Sequence, residues 1–335
     1  MVKLFVNLFI CGLLFSSCTP IKTQPKKTND PLPSWREGET KTNILNFVST
    51  ATDENHANFI PVTERIATFD NDGTLWSEQP IYFQLFFVID RIKEMAADHP
   101  EWDTLAPFSY CLYDDLEGIS KSGMEALMTL LMTTHSTNTQ AEFENQVSDW
   151  AASAIHPSKG RKYRELVYQP MLELLAYLQK NKFKTYIVSG GGVDFMRPII
   201  STIYNIPPER IIGSTIKTKF NYNKGNPKIE RLAELFFIDD KEGKPENIQR
   251  IIGRKPVLAG GNSDGDLAML QWTASNTNFL NIYVHHTDSE REWAYDRDSH
   301  IGKLDKGLDQ ANAENWTVVD MKEDWKVIFP YELKK

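Results

Sequence analysis

Short apolar runs that close on small or acidic residues recur along the chain, separated by longer stretches with a helical period. The run just before Asp70, and those at residues 183–188, 210–215, 256–260 and 280–284, are nearly continuous in apolar and β-branched side chains. That is the pattern of strands buried on both faces, as in a parallel sheet. Residues 316–319 make a further candidate strand. Helical spacing is clearest at residues 81–95, through Phe83, Phe86, Ile89 and Ile92, and returns at 124–132, 143–154 and 170–180. Pro170 suits the first turn of the last of these. Residues 43–48 start another helix, and the polar residues 220–228 read as a hairpin excursion. Strands alternating with helices predict an α/β domain built on a parallel sheet. The strandless block 77–165 predicts an all-helical insertion within it.

Composition changes this picture mainly at the N-terminus. With 335 residues, 41% hydrophobic and 24% charged, the chain is long enough for one large domain or two ordinary ones. A net charge of −8, without any basic and aromatic cluster, argues against a nucleic-acid partner. Residues 4–15 are apolar except for Asn7 and Gly12, and Lys3 precedes them. The run is too short to span a bilayer, which takes about 20 residues. It fits a signal peptide over residues 1–17. Phe15-Ser16-Ser17-Cys18 resembles a bacterial lipoprotein cleavage box, with Phe where Leu is usual. The resemblance implies a lipidated Cys18 and an exported protein anchored to a bacterial membrane, facing the periplasm or the cell surface. The alternative is an ordinary cleaved signal. Residues 18–40, rich in Lys, Pro and Thr, read as a tether. Of Cys11, Cys18 and Cys111, only Cys111 lies in the body of the chain, so no internal disulfide is expected there.

The chemistry gathers at strand ends. Asp70 and Asp72 stand one residue apart where the first strand stops, followed by Gly73 and Thr74. In parallel α/β sheets that end of the strands is where ligands bind. Two such close carboxylates repel unless a cation lies between them or one keeps a proton. A metal-assisted reaction with one carboxylate as nucleophile and the other as acid and base would use both states; a surface turn or a calcium loop is the plainer alternative. Asp70-Asn71-Asp72-Gly73-Thr74 resembles the first motif of the haloacid dehalogenase superfamily. Three further motifs stand in that family's order. Ser189-Gly190-Gly191-Gly192 resembles the second, a hydroxyl followed by small residues. Lys244 matches the third, a lysine opening a helix, with Lys228 and Lys241 as rivals. Gly261-Asn262-Ser263-Asp264-Gly265-Asp266 resembles the fourth, with Asn262 in place of the usual metal-binding aspartate.

The resemblance implies a Rossmann-like three-layer α/β/α core with an inserted helical cap, as in the phosphoserine-phosphatase-like branch. Core segments are expected at residues 41–76 and 166–335, and the cap at 77–165. It further implies a Mg²⁺-dependent phosphomonoester hydrolase acting on a small phosphorylated substrate. Asp70 becomes the nucleophile and Asp72 the acid and base; an acid at position 72 favours phosphate esters over carbon–halogen bonds. Thr74, Ser189, Gly190 and Lys244 hold the phosphate. Mg²⁺ is bound by Asp70, Asp72, Asn262 and Asp266, with the choice among Asn262, Asp264 and Asp266 open. Glu78, at the start of the cap, is a candidate for reading a substrate amine, and Arg197 for meeting a carboxylate. His285-His286, on one strand, point to opposite faces and suggest a structural or site-edge role. Two other functions stay open: a lipid-anchored binding protein that has lost turnover, and a phosphotransferase.

Overall fold

The computed structural model describes residue 1, residues 30–136 and residues 138–334. The expected signal peptide, Cys18 and most of the tether lie outside the described residues. Pro31–Lys335 form one compact unit. Packing begins earlier than the expected boundary at residue 41. Leu32 and Trp35 are wholly buried, and the Trp35 indole donates to the Pro170 carbonyl at 2.9 Å. Main-chain bonds from Arg36 N to Asp324 O at 2.7 Å and from Lys326 N to Ser34 O at 2.8 Å fix the same stretch. No helix among the described residues is long and apolar enough to cross a membrane.

The sheet contains β1 (Ile66–Phe69), β2 (Lys184–Gly192), β3 (Ile211–Asn223), β4 (Asn226–Phe237), β5 (Leu258–Gly261), β6 (Leu280–Thr287), β7 (Ala294–Tyr295) and β8 (Thr317–Asp320). Its order is β4-β3-β2-β1-β5-β6-β7, with β8 also paired to β6. All neighbours are parallel except β3 with β4 and β6 with β7. β1 and β5 are buried along their whole length, as their apolar runs require. Register sets the site: Phe69 faces Ile187 of β2 and Gly260 of β5, which brings Asp70 after β1, Ser189 near the end of β2 and the loop after β5 to one edge of the sheet. A Cβ on Gly260 would press into the Phe69 ring, so this close pairing needs glycine.

Between β1 and β2 the chain forms helices, chiefly Phe83–Met95, Gly123–His135 and Gln140–Ser153. The segments leading out and back run side by side, with Ser77 N donating to Leu166 O at 3.0 Å and Tyr168 N to Leu75 O at 2.8 Å. The helices share one apolar core with the sheet: the Phe87 ring meets Phe143, Trp150 and Phe195 at centroid separations of 5.8, 5.5 and 5.5 Å.

The expected excursion at 220–228 is the tip of a much longer hairpin, β3 with β4. Lys224 and Gly225 turn it, both with positive φ. Periodicity hides the hairpin because most of it is solvent-exposed.

His156 closes the neck of the insertion. It is buried, its Nε2 donates to the Gln79 carbonyl at 3.2 Å, and its Nδ1 accepts from the amides of Ser158 and Lys159. Burial pushes its pKa down to about 4. A second proton would leave Nδ1–H facing two donors. The folded pKa thus lies below the unfolded value of about 6.5. The stabilisation is complete above pH ~6.5 and is lost as pH falls toward 4. The melting temperature of wild type should therefore fall more steeply between those values than that of His156→Gln; equal slopes in thermal melts would refute this.

Candidate active site

Asp70 leaves β1 as its amide donates to Gly260 O at 2.9 Å. The following loop is pinned from several sides. Gly73 takes positive φ, and its amide donates to Trp76 O at 2.8 Å. The Tyr204 hydroxyl donates to Asn71 Oδ1 at 2.9 Å, and His286 Nε2 donates to Gly73 O at 2.7 Å. The Trp76 indole donates to Asp72 Oδ1 at 2.7 Å, while the Ser189 hydroxyl lies 3.5 Å from Asp72 Oδ2.

Lys244, second residue of the helix Gly243–Ile251, is the one of the three expected lysines that reaches this loop. Its ammonium donates to Asp70 Oδ1 at 2.7 Å, Asp266 Oδ1 at 2.6 Å and Val188 O at 2.9 Å, and is almost wholly buried. Burial alone would lower its pKa, but Asp266 and then Asp70 outweigh that and raise it, so the amine stays charged. Asp70 is pushed well above the ordinary carboxylate range by burial and then by Asp266, with Lys244 opposing. Asp72 is raised by burial to about 6, against the pull of its Trp76 bond and of Lys244.

Asp70, Asp72, Glu78, Ser189, Gly190, Lys244 and Asp266 line one cavity of about 400 Å³. The remaining expected residues stand elsewhere or are otherwise engaged. The Thr74 hydroxyl donates to Asn262 Oδ1 at 3.0 Å, so it serves Asn262 and not the cavity. Arg197 donates to the carbonyls of Pro208 and Ile211, which turns it toward the start of β3 and away from the site. Asp264 accepts from the amides of Asp305, Lys306 and Gly307, capping the helix Lys306–Ala313. Both oxygens of Asp266 are used, one by Lys244 and the other by the amides of Asn262 and Ser263. The Glu78 oxygen Oε1 accepts from Tyr295 OH and Asn262 Nδ2, both at 2.7 Å, so that atom already has two internal partners. Burial, then the charges of Asp72 and Asp70, push the Glu78 pKa well up.

A wall of the cavity escaped the sequence reading. Gln84 and His135 come from the helical insertion, and Arg231 from the hairpin. Arg231 is buried. It donates to His135 O and Gln140 Oε1, both at 2.7 Å, pairs with Asp194, and lies over the Phe143 ring at 4.0 Å. An arginine within an exposed polar strand gives no sign of this; only the register of the hairpin turns it inward.

The family model for haloacid dehalogenase-like hydrolases matches residues 67–271. The chain belongs to the haloacid dehalogenase-like hydrolases. Two solved structures agree on the fold. A protein of unknown function from Bordetella pertussis Tohama I is 14% identical, with a TM-score of 0.50 over 77% of this chain and 99% of that one. A functionally unknown protein from Anaerococcus prevotii DSM 20548 is 15% identical, with a TM-score of 0.51 over 87% and 94%. A phosphoserine phosphohydrolase-like protein from Francisella tularensis is 15% identical, with a TM-score of 0.34 over 66% and 87%. No curated protein matches. In this haloacid dehalogenase-like fold the matched segment holds every residue that bonds the Lys244 ammonium, but it ends before His286 and Tyr295.

Arg231 ties its strand to three helices, and its removal takes the guanidinium from Asp194 Oδ2 and from the His135 carbonyl, while Asp194 Oδ1 keeps its bond from Gln140. Arg231→Leu should lower stability by about 3 kcal/mol in chemical denaturation, as breaking a buried pair does. A loss within ~0.5 kcal/mol would show the contacts to be ornamental.

Proposed function

We propose that this hydrolase cleaves phosphomonoesters through a phosphoaspartate on Asp70, and that its substrates carry an apolar leaving group. One observation carries the reading: the Lys244 ammonium is fixed between Asp70 and Asp266 at a cavity that also receives Asp72 and Ser189. A positive charge so placed faces the oxygens of a phosphoryl group approaching Asp70. The Asp70 carboxylate attacks phosphorus as the bond to the ester oxygen breaks, and Asp72 gives its proton to the departing alkoxide. Asp72 then takes a proton from the water that attacks the phosphoaspartate, which releases phosphate and restores both acids. A carboxyl with a pKa raised to about 6 suits both halves of that cycle near neutral pH. The Ser189 hydroxyl is placed to bond a phosphoryl oxygen.

The residues also fit Mg²⁺. Burial and neighbouring acids leave Asp70 raised even with Lys244 in contact, so the site lacks positive charge. Among the described residues no three acidic, imidazole or thiol side chains gather as a cage. The oxygens a hard cation could share with water and substrate are the Asp70 carboxylate, the Asp72 main-chain carbonyl and, behind the cavity lining, the Asn262 amide oxygen, which keeps a second lone pair beside its bond from Thr74. When bound, Mg²⁺ would supply charge against the two aspartates and the phosphoryl oxygens. Asp266 serves instead to hold Lys244 and the loop.

For the leaving group, the cavity offers Leu85, Leu127, Met128, Leu131, Leu235 and Ile238, from the insertion and the hairpin. With Glu78 Oε1 engaged internally, this wall favours an aryl or alkyl group over the amine of phosphoserine or phosphocholine. Export and lipid anchoring through Cys18 remain part of the reading, and would place the enzyme where it scavenges phosphate.

Asp70→Asn should abolish Mg²⁺-dependent hydrolysis of p-nitrophenyl phosphate with the fold intact, and Asp72→Asn should lower kcat by about 10²- to 10⁴-fold. Undiminished turnover in Asp70→Asn would exclude the phosphoaspartate. In a phosphomonoester panel, naphthyl phosphate should exceed phosphoserine in kcat/KM by at least about tenfold; parity would exclude the apolar leaving group.

A further inference from the structure

The fourth motif of this chain offers an amide, Asn262, where the related pattern has a carboxylate. Asn262 is buried, and its two side-chain atoms face different partners: Oδ1 lies 3.0 Å from the Thr74 hydroxyl and Nδ2 lies 2.7 Å from Glu78 Oε1. Glu78 is itself buried, and the Tyr295 hydroxyl donates to the same Oε1 at 2.7 Å. Because a carboxylate accepts and does not donate, Glu78 dictates which end of the Asn262 amide turns toward it. The oxygen is thereby presented to the Asp70–Thr74 loop. Gly73 keeps the pair within reach of that loop: a Cβ there would collide with both Asn262 Nδ2 and Glu78 Oε1.

We propose that Glu78 and Asn262 act together as a divided aspartate: Asn262 supplies the oxygen and Glu78 the negative charge that a divalent cation at Asp70 requires. The proposal rests on the Mg²⁺ reading above. It makes Glu78 a positioning and charge-supplying residue, not a reader of substrate: a cation at Asp70 would favour its carboxylate form against the burial and the neighbouring aspartates that oppose it. Three features support the division. The two side chains are in direct contact, both are shielded from water, and Glu78 stands with Asp70 and Asp72 around one cavity. Cation affinity at oxygen sites follows the number of charged ligands and their rigidity, so a charge moved one side chain back still contributes.

A charge swap tests this on the full chain, with Mg²⁺ binding read by isothermal calorimetry and folding by thermal melts without metal. Glu78→Gln keeps an oxygen for Tyr295 and Asn262 and removes only the charge. It should weaken Mg²⁺ binding about tenfold or more while the metal-free melt stays close to wild type. Asn262→Asp alone sets two buried carboxylates against each other and should lower the metal-free melting temperature. The double variant Glu78→Gln/Asn262→Asp returns one charge and one donor to the pair, so it should recover that melting temperature and bind Mg²⁺ within about threefold of wild type. Wild-type affinity in Glu78→Gln, or a double variant that binds no better than Glu78→Gln, would overturn the division and leave the Mg²⁺ reading standing. A wild type that takes up no Mg²⁺ would overturn both.

Discussion

A single ammonium group, that of Lys244, holds the centre of this molecule together. It bonds a side chain at the end of β1, a carbonyl of β2 and an acid in the loop after β5. Those three elements are neighbours in the sheet, and each would otherwise bring uncompensated polar groups into one buried space. Removing a charge from water is costly unless it is paired and its donors are all used. Here the three protons of the ammonium have three acceptors. The parallel register, the glycine opposite Phe69 and the helix that begins at Gly243 all serve to bring these groups into contact.

Around that centre the carboxylates divide by environment. Asp266 has its oxygens used on both sides and works as a clamp. Asp72 keeps one oxygen on the Trp76 indole and the other near Ser189, with an elevated pKa. Asp70 is buried against Lys244 with its affinity for protons raised. Identical functional groups thus receive different tasks from burial and partners alone. Beyond them, His286 and Tyr295 reach the same loop from strands late in the chain, one through the Gly73 carbonyl and the other through Glu78.

The parts legible in the sequence were those with a local signature. β1, β2, β5 and β6 announce themselves as apolar runs, and acids or hydroxyls at their ends point to the site without any three-dimensional knowledge. Lys244 is legible because Pro245 marks the start of its helix. Roles that depend on a partner distant in the chain were not legible. Glu78 reads as a lone acid until Asn262 and Tyr295, more than 180 residues on, are seen against it. Thr74, Arg197 and Asp264 have suitable chemistry but spend it on neighbours that only the fold supplies. The full hairpin escaped because strands with little burial carry no alternating pattern, and the early docking of Trp35 because one buried indole hardly alters a polar stretch.

Arg231 has a mechanical meaning beyond its bonds. The helical insertion joins the sheet through two adjacent chain segments at its neck and packs on it through a common apolar core. The guanidinium adds a polar fastening of that insertion to the hairpin and to the helix Val193–Tyr204 that follows β2. Separating the insertion from the hairpin would require breaking this fastening, so the two walls they contribute to the cavity are buttressed as one piece.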